Sequence, residues 1–282
     1  MKQLLATLLI TSALVGCSSA PTPPQPQPLA PVTYQLGELN RDTINDILVA
    51  EIAGQREDFD LALATYMRQA HLTKDAEIAK RATQIAQFLN REDDTLEAVQ
   101  IWREAAPDEA KPYQIEASIR LFKQQYDQAL PLIRKAYNDN PKTTLQLIQA
   151  QISAMPPSVL TGFSELLSNL TKETPPNVEL WLTVSMLEAK QDRPAAALDA
   201  IEKSVALDNK HLTARLQQAD LLRFFERHEE SLAVINTALQ HHIDNKRLLL
   251  LKTQILFNTG KTSEAINQIE TLKDLHPKDT VL

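Results

Sequence analysis

One spacing pattern recurs along most of this chain: a small residue is followed four positions later by a large one. Residues four apart lie on the same face of an α-helix, so each pair places a gap and a bulky side chain side by side. The small members lie 36, 31, 33, 35, 34 and 34 positions apart. A period near 34 predicts a repeated unit of two helices. The pairs are Ala62 and Tyr66, Ala98 and Trp102, Ala129 and Ile133, Gly162 and Leu166, Ala197 and Ile201, Ser231 and Ile235, and Ala265 and Ile269.

The composition agrees with a chain built of helices. Only 5 of the 282 residues are glycine, although β-sandwiches, dinucleotide folds and phosphate loops all use glycine where the backbone turns sharply. A formal charge of −7 and 5% aromatic residues disfavour a nucleic-acid-binding protein, because neutralising phosphates takes a basic face and stacking on bases takes rings. The single cysteine excludes an intrachain disulfide.

The repeat resembles the tetratricopeptide repeat, whose unit is a helix-turn-helix of about 34 residues with an A-x₃-F spacing. Trp181 opens the fifth repeat in register with that family, and Gly260 falls at a turn between helices. The resemblance implies an all-α fold, a right-handed α-solenoid of about seven repeats in a domain of residues 36–282. We expect the first helix of the fourth repeat to end before Pro156. Residues 274–282 are too short for a capping helix, so either the last helix caps itself or the chain is a shortened form of a longer array.

The first residues have the layout of a secretory signal. Lys2 precedes an apolar stretch that is too short to span a bilayer, and small residues follow. The end of the stretch, Leu14-Val15-Gly16-Cys17, resembles the bacterial lipobox. The resemblance implies that residues 1–16 are a signal peptide, cleaved before Cys17, and that the Cys17 thiol carries a diacylglycerol. An ordinary signal that ends in cysteine by chance fits the pattern less well.

Residues 17–35 are predicted to be a lipidated tether. Six of the 16 prolines lie between residues 20 and 31, which favours polyproline II over helix or sheet. At about 3.1 Å per residue, this segment reaches roughly 40 Å from the membrane. Ser18, rather than aspartate, follows the cysteine, and in the lipoprotein family this implies the outer membrane, with the protein facing the periplasm. Cleavage would also remove Lys2 and change the formal charge from −7 to −8.

The search for catalytic and metal sites favours structural explanations. Residues 258–262 resemble the end of a phosphate loop but lack its first glycine and its strand. His241 and His242 with Asp244 could ligate a metal, but adjacent helical residues point in different directions. The acidic residues 92–94 favour the start of the following helix. We therefore expect no enzyme activity, cofactor, bound metal or small-molecule substrate.

The predicted function lies on the concave face, which first helices line in tetratricopeptide arrays. In that family, a clamp for C-terminal carboxylates needs lysine at the fifth and asparagine at the ninth position of the first helix, and neither occurs here. The fifth positions are Ile47, Thr83, Gln114, Leu147, Leu182, Leu216 and Leu250, and the ninth are Glu51, Gln87, Ser118, Gln151, Met186, Asp220 and Gln254.

This face suits apolar side chains flanked by amide hydrogen bonds, although several of its leucines are equally consistent with packing between repeats. Phe224 and Phe225 point about 100° apart in a helix, so one can be buried while the other is exposed beside Arg223. The candidate partner-binding residues are Glu51, Gln87, Gln151, Met186, Asp220, Arg223, Phe224 and Gln254.

A narrower resemblance covers the first two repeats. Residues 48–66, 76–86 and 98–107 are similar to LbcA-type lipoproteins, outer-membrane adaptors that bind a periplasmic carboxyl-terminal processing protease and deliver peptidoglycan hydrolases to it. The resemblance implies a scaffold that brings a protease and cell-wall hydrolases together. The alternative is a pilotin-like assembly factor for a secretin, a pilus or outer-membrane proteins.

Overall fold

The computed structural model describes residues 40–275, and their regular structure is entirely helical. The predicted signal peptide, Cys17, the tether and residues 276–282 lie outside this range. The α-helices of the described residues are α1 Arg41–Gln55, α2 Phe59–Thr73, α3 Ala76–Phe88, α4 Glu92–Ala105, α5 Ala110–Phe122, α6 Tyr126–Asp139, α7 Pro141–Gln151, α8 Pro157–Glu173, α9 Val178–Lys190, α10 Pro194–Leu207, α11 Leu212–Phe224, α12 His228–Leu239, α13 Lys246–Asn258 and α14 Thr262–Leu275. A short 3₁₀ helix, Ile152–Ala154, follows α7.

The helices form seven two-helix repeats, and in six of them the two helices pack against each other: α1 with α2, α3 with α4, α5 with α6, α9 with α10, α11 with α12 and α13 with α14. In the fourth repeat no Cα atom of α7 lies within 8 Å of one in α8; α7 touches α9 instead, and α8 touches α6 and α9. The first helices of neighbouring repeats touch along the row α5, α7, α9, α11 and α13, while α2 touches α4 and α6 touches α8. The predicted all-α solenoid of seven repeats is therefore confirmed.

Six of the seven repeats use the same turn between their two helices. Its central residue, which we call the turn residue, has a positive φ, and the next residue donates its N–H to a carbonyl five positions back at 2.8–3.0 Å. This pair of features is the Schellman end of a helix. The turn residues lie 33, 34, 68, 34 and 34 positions apart, and the double interval skips the fourth repeat. They are Glu57, Asn90, Gln124, Asp192, Glu226 and Gly260.

Five of these turn residues have side chains that disfavour a positive φ, so glycine there should stabilise the fold. Gln124→Gly (φ 56°) should raise the free energy of unfolding by about 0.5–1 kcal/mol, because a left-handed conformation costs other residues about 1–2 kcal/mol and glycine recovers part of that in the folded state. Urea denaturation measures the change. The control Gln128→Gly, inside α6, should lower it by about 1 kcal/mol. Equal effects of the two changes would contradict the assignment of the turn.

The turn residue sets the register of each repeat. Five positions after it lies a residue that is at most 2% exposed in all six repeats: Ala62, Thr95, Ala129, Ala197, Ser231 and Ala265. The prediction was wrong in the second repeat, where Thr95 rather than Ala98 holds this place. Thr95 behaves as a small residue because its hydroxyl donates to the Arg91 carbonyl at 2.8 Å.

The fourth repeat is irregular. Its first helix ends at Gln151, so the predicted end before Pro156 is confirmed. The predicted pair Gly162 and Leu166 is wrong, because both are only partly buried and the helix instead buries Leu160, Phe163 and Leu167. Leu160 is the fourth residue of α8, the place that Ala197 holds in α10, so it marks the register of this repeat.

The hydrophobic core is divided along the chain. One cluster covers the first two repeats and ends at Trp102, and a second runs from Ala117 to Leu187. Between them lies the carboxylate of Glu116, only 3% exposed. It forms ion pairs with Arg103 Nε of α4 at 2.9 Å and with Arg120 Nη2 of its own helix at 3.2 Å. A buried charged network therefore joins the second and third repeats.

Candidate protein-binding surface

The buried position of each second helix fixes the numbering within its repeat, and this changes the assignment of two predicted surface residues. The ninth position of a first helix lies eleven residues before the buried position of the second helix. Glu51, Ser118, Met186, Asp220 and Gln254 fulfil this relation. In the second and fourth repeats the ninth residues are Gln84 and Gln149, so Gln87 and Gln151 were wrongly assigned as ninth residues. Both errors follow from the misplaced pairs at Ala98 and Gly162.

The register also changes the fifth positions. Lys80 and Leu145, rather than Thr83 and Leu147, are the fifth residues of the second and fourth repeats. Lys80 is one of the two residues of the carboxylate clamp, but it pairs with Glu77 at 3.2 Å and lies 5.8 Å from the ring centre of Trp102. The ninth positions still contain no asparagine, so the clamp is not built.

The predicted surface residues have different environments. Glu51 is half-buried, accepts a hydrogen bond from the Tyr66 hydroxyl and lies 3.5 Å from Arg81 Nε. Burial, followed by this hydrogen bond, raises the pKa of Tyr66 to about 12. Met186 packs against two core clusters and is thereby partly structural. Gln151 is half-buried, whereas Gln87 and Gln254 are exposed.

Some leucines at the fifth positions of the first helices pack between repeats, and one is exposed to a partner. Leu182 and Leu216 are buried and belong to the core, whereas Leu250 is 39% exposed. A polar group that the sequence did not indicate connects neighbouring first helices: the Gln149 amide donates to Glu179 Oε2 at 3.0 Å and to Thr183 Oγ1 at 2.9 Å. His211, the N-cap residue of α11, has its Nε2 3.3 Å from the same carboxylate. These amide and carboxylate groups fix the row of first helices rather than remain free for a ligand.

The pair Phe224 and Phe225 is more exposed than expected. Neither ring enters the core, since they are 66% and 37% exposed, and they pack edge to face at 5.6 Å between ring centres. Arg223 is half-buried and pairs with Asp220 at 3.3 Å. The structure therefore buries neither phenylalanine fully, and Phe224 is the more exposed of the two.

Two further exposed phenylalanines belong with Phe224. Phe88 and Phe122 are 67% and 72% exposed, and each of the three is the last residue of a first helix. The interval from Phe88 to Phe122 is one repeat, and Phe224 lies three such intervals further on. This periodicity was the signal in the sequence that could have found them. Their common position makes the three rings candidates for contact with a partner, because aromatic side chains are frequent among the residues that dominate binding.

A cavity of about 240 Å³ opens in the first two repeats, where no Cα atom of α1 lies within 8 Å of one in α3. The rings of Phe59 and Phe88 meet at its edge, 4.8 Å apart between centres. Its lining comes from three helices: Ala50 and Gly54 of α1, Phe59, Ala62 and Tyr66 of α2, and Arg81, Gln84, Ile85 and Phe88 of α3.

The motifs considered for catalysis have structural partners. His242 Nε2 lies 2.8 Å from the Lys210 carbonyl, and Lys261 pairs with Glu229 at 2.8 Å. Asp93 pairs with Lys123 at 2.7 Å, and this hydrogen-bonded ion pair lowers the pKa of Asp93. Within residues 40–275, no group of three or more histidine, cysteine, aspartate or glutamate side chains is placed to hold a metal. None of the described helices combines the length and the apolar character needed to cross a membrane.

Comparison with known proteins supports this architecture. No protein-family model matches the chain. The TPR repeat-containing protein PA4667 of Pseudomonas aeruginosa is 29% identical over 261 residues, which cover 89% of this chain and 44% of that protein. The chain therefore spans less than half the length of this relative.

Two solved structures share the fold. The C-terminal part of a TPR repeat-containing protein from Cytophaga hutchinsonii matches with a TM-score of 0.57 and 11% identity, over 83% of this chain and 96% of that one. A tetratricopeptide repeat protein from Parabacteroides merdae matches with a TM-score of 0.50 and 10% identity, over 86% and 96%. The fold thus defines the architectural class: the chain has the helical solenoid fold seen in tetratricopeptide-repeat proteins.

Proposed function

We propose that this protein is a non-enzymatic scaffold for protein-protein interactions, held at the outer membrane through a lipid on Cys17 and facing the periplasm. Its partners in this proposal are a periplasmic protease and the cell-wall hydrolases that the protease degrades. The observation that carries the proposal is the set of exposed phenylalanines at one repeated position, the last residue of a first helix: Phe88, Phe122 and Phe224. The lipobox and the resemblance of the first two repeats to LbcA-type adaptors support the location and the partners.

A scaffold of this kind acts by raising the local concentration of its partners. A protease and its substrate bound to the same array meet at the effective concentration set by the distance between their sites, without any chemistry by the array itself. Seven repeats in a row provide room for two proteins at separate places. The exposed amides of Gln84, Gln87 and Gln254 and the exposed rings suit partners that bring apolar side chains together with backbone hydrogen bonds.

The experiment is a crosslinked capture from the cell envelope with the full chain. We expect a periplasmic protease and at least one peptidoglycan hydrolase among the captured proteins. The variant Phe88→Ala/Phe122→Ala/Phe224→Ala should lose most of one of them. The matched control is Leu61→Ala/Leu72→Ala/Leu207→Ala, which removes exposed apolar residues from second helices and should capture both.

Two results would contradict the adaptor proposal. Capture of only secretin or barrel-assembly components would favour the assembly-factor alternative. Deletion of the gene without any accumulation of a cell-wall hydrolase would exclude delivery of hydrolases to a protease.

The lipid anchor makes its own prediction. Cys17→Ala removes the only thiol of the chain, so the variant should move from the membrane pellet to the soluble fraction, because two or three acyl chains hold a protein far more firmly than none. Fractionation followed by immunoblotting measures this, and Ser18→Ala is the control that should remain with the membrane. Sedimentation of the Cys17→Ala variant with membranes would disprove the assignment.

A further inference from the structure

A glycine of α1, Gly54, lines the cavity of the first two repeats. Gly54 lies eight residues before the buried Ala62, and a Cβ atom built on it would have no atom within 4 Å. The equivalent residues of the third and fourth repeats, Leu121 and Ile152, are 1% and 4% exposed, whereas those of the second and seventh, Gln87 and Phe257, are exposed. The first repeat has no side chain at this position.

The size of the cavity suits a single side chain. A cavity of about 150 Å³ is known to take up a benzene ring, so 240 Å³ has room for one aromatic or branched aliphatic group. Sites for drug-sized ligands and cofactors start at about 300 Å³. The two rings at its edge, Phe59 and Phe88, provide apolar walls, and Phe88 extends from the cavity to the surface with 67% of its area exposed.

The charges at the cavity select an uncharged occupant. Arg81 and Glu51 lie 3.5 Å apart and neutralise each other, and the Tyr66 hydroxyl already donates to Glu51. A charged side chain that entered would therefore lose its hydration without meeting an unpaired countercharge, which is costly. Gln84 also lines the cavity and is exposed, so its amide can both donate to and accept from a peptide backbone.

We propose that this cavity binds one uncharged aromatic or branched aliphatic side chain from an extended segment of a partner protein, while Gln84 pairs with the backbone of that segment. This inference rests on the proposed scaffold function and names the chemistry that one of its sites recognises. The cavity would act as the anchoring pocket at the N-terminal end of the array, continuous with the exposed ring of Phe88.

The variant Gly54→Leu tests the pocket from inside. Its side chain should enter the cavity, because a Cβ at this position meets no atom within 4 Å, and leucine is a better helix former than glycine. The variant should therefore fold at least as well as the wild type, which its thermal unfolding checks. The matched control is Gln87→Leu, which places leucine at the equivalent, exposed position of the second repeat, outside the cavity lining.

The probe is an acetylated and amidated heptapeptide of glycine, serine and glutamine with para-fluorophenylalanine at its centre. The fluorine resonance of the peptide should broaden when the full-length wild type or the Gln87→Leu variant is added. The Gly54→Leu variant should bind the peptide at least tenfold more weakly than the wild type. Unlabelled peptides with leucine at the centre should compete, and those with alanine or aspartate should not. Equal broadening with Gly54→Leu, no broadening with the wild type at millimolar concentration, or equal competition by the aspartate peptide would each overturn the proposal.

The capture experiment separates this inference from the proposed function. If the wild type and Gly54→Leu capture the same protease and hydrolase in equal amounts, the pocket proposal fails and the scaffold stands. If the peptide binds as described but neither protein is captured by the wild type, the pocket stands and the adaptor function fails. Peptide binding that appears only after removal of the segment before α1 would identify that segment as the occupant and overturn the partner assignment.

Discussion

Replacing Glu116 by alanine should lower the free energy of unfolding by about 3–5 kcal/mol, the usual cost of removing one partner from a buried charged network. The carboxylate is 3% exposed and forms ion pairs with Arg103 and Arg120, whose side chains are 30% and 15% exposed. Its loss leaves two guanidinium groups in a place where water reaches them poorly. Because the network joins α4 to α5, the loss should appear where the second repeat meets the third.

Chemical denaturation, combined with amide hydrogen exchange of α4 and α5, measures this effect. The triple variant Arg103→Met/Glu116→Leu/Arg120→Met removes the charges together and should be much closer to the wild type. Glu97→Ala is the surface control: Glu97 pairs with His71 but is about half exposed, so its loss should cost less than about 1 kcal/mol. A single Glu116→Ala variant as stable as this control would show that the network contributes no stability.

Replacing Phe163 by alanine should cost about 3–5 kcal/mol, since the ring is fully buried and the neighbouring helices cannot close the space it leaves. Phe163 is 0% exposed and meets Tyr126 edge to face, 6.5 Å between ring centres. It lies in the second helix of the irregular fourth repeat, where the turn shared by the other six repeats is absent. Side-chain packing is therefore what holds this repeat in the array.

The control for this prediction is the same substitution at an exposed ring. Phe122→Ala should change the free energy of unfolding by no more than about 0.5 kcal/mol, because the side chain is 72% exposed. Urea denaturation at equal protein concentration compares the two variants. If Phe163→Ala costs no more than Phe122→Ala, the fourth repeat does not depend on its core.

The number of repeats and their helical character were predictable from the sequence, because a pattern repeated seven times tolerates errors in single repeats. The register of two repeats was not predictable from small residues alone. In the second repeat, Thr95 is buried like an alanine because a hydrogen bond to the backbone satisfies its hydroxyl. In the fourth repeat, which lacks the turn of the other six, the large residue Leu160 holds the buried position. The unequal intervals before and after Ala98 indicated the first of these errors.

The candidate surface was only partly predictable. Phe224 was identified from its neighbour, but Phe88 and Phe122 needed the common position that the turns define. The cavity at Gly54 depends on the distance between α1 and α3, which no single-residue pattern encodes. Glycine in a helix makes room for a neighbouring side chain in one place and lines open space in another: a Cβ on Gly162 would lie 2.8 Å from Leu130 Cδ2, while one on Gly54 meets no atom within 4 Å.

The divided core has a consequence for cooperativity. Each repeat contacts only near neighbours, so the stability of the array is a sum over adjacent interfaces rather than the property of one centre. The apolar cluster of the first two repeats ends at Trp102, and the next begins at Ala117, with a charged interface between them. Parts of a linear array with separate cores open with different free energies. We therefore expect the two N-terminal repeats, which contain the cavity, to have an opening free energy of their own.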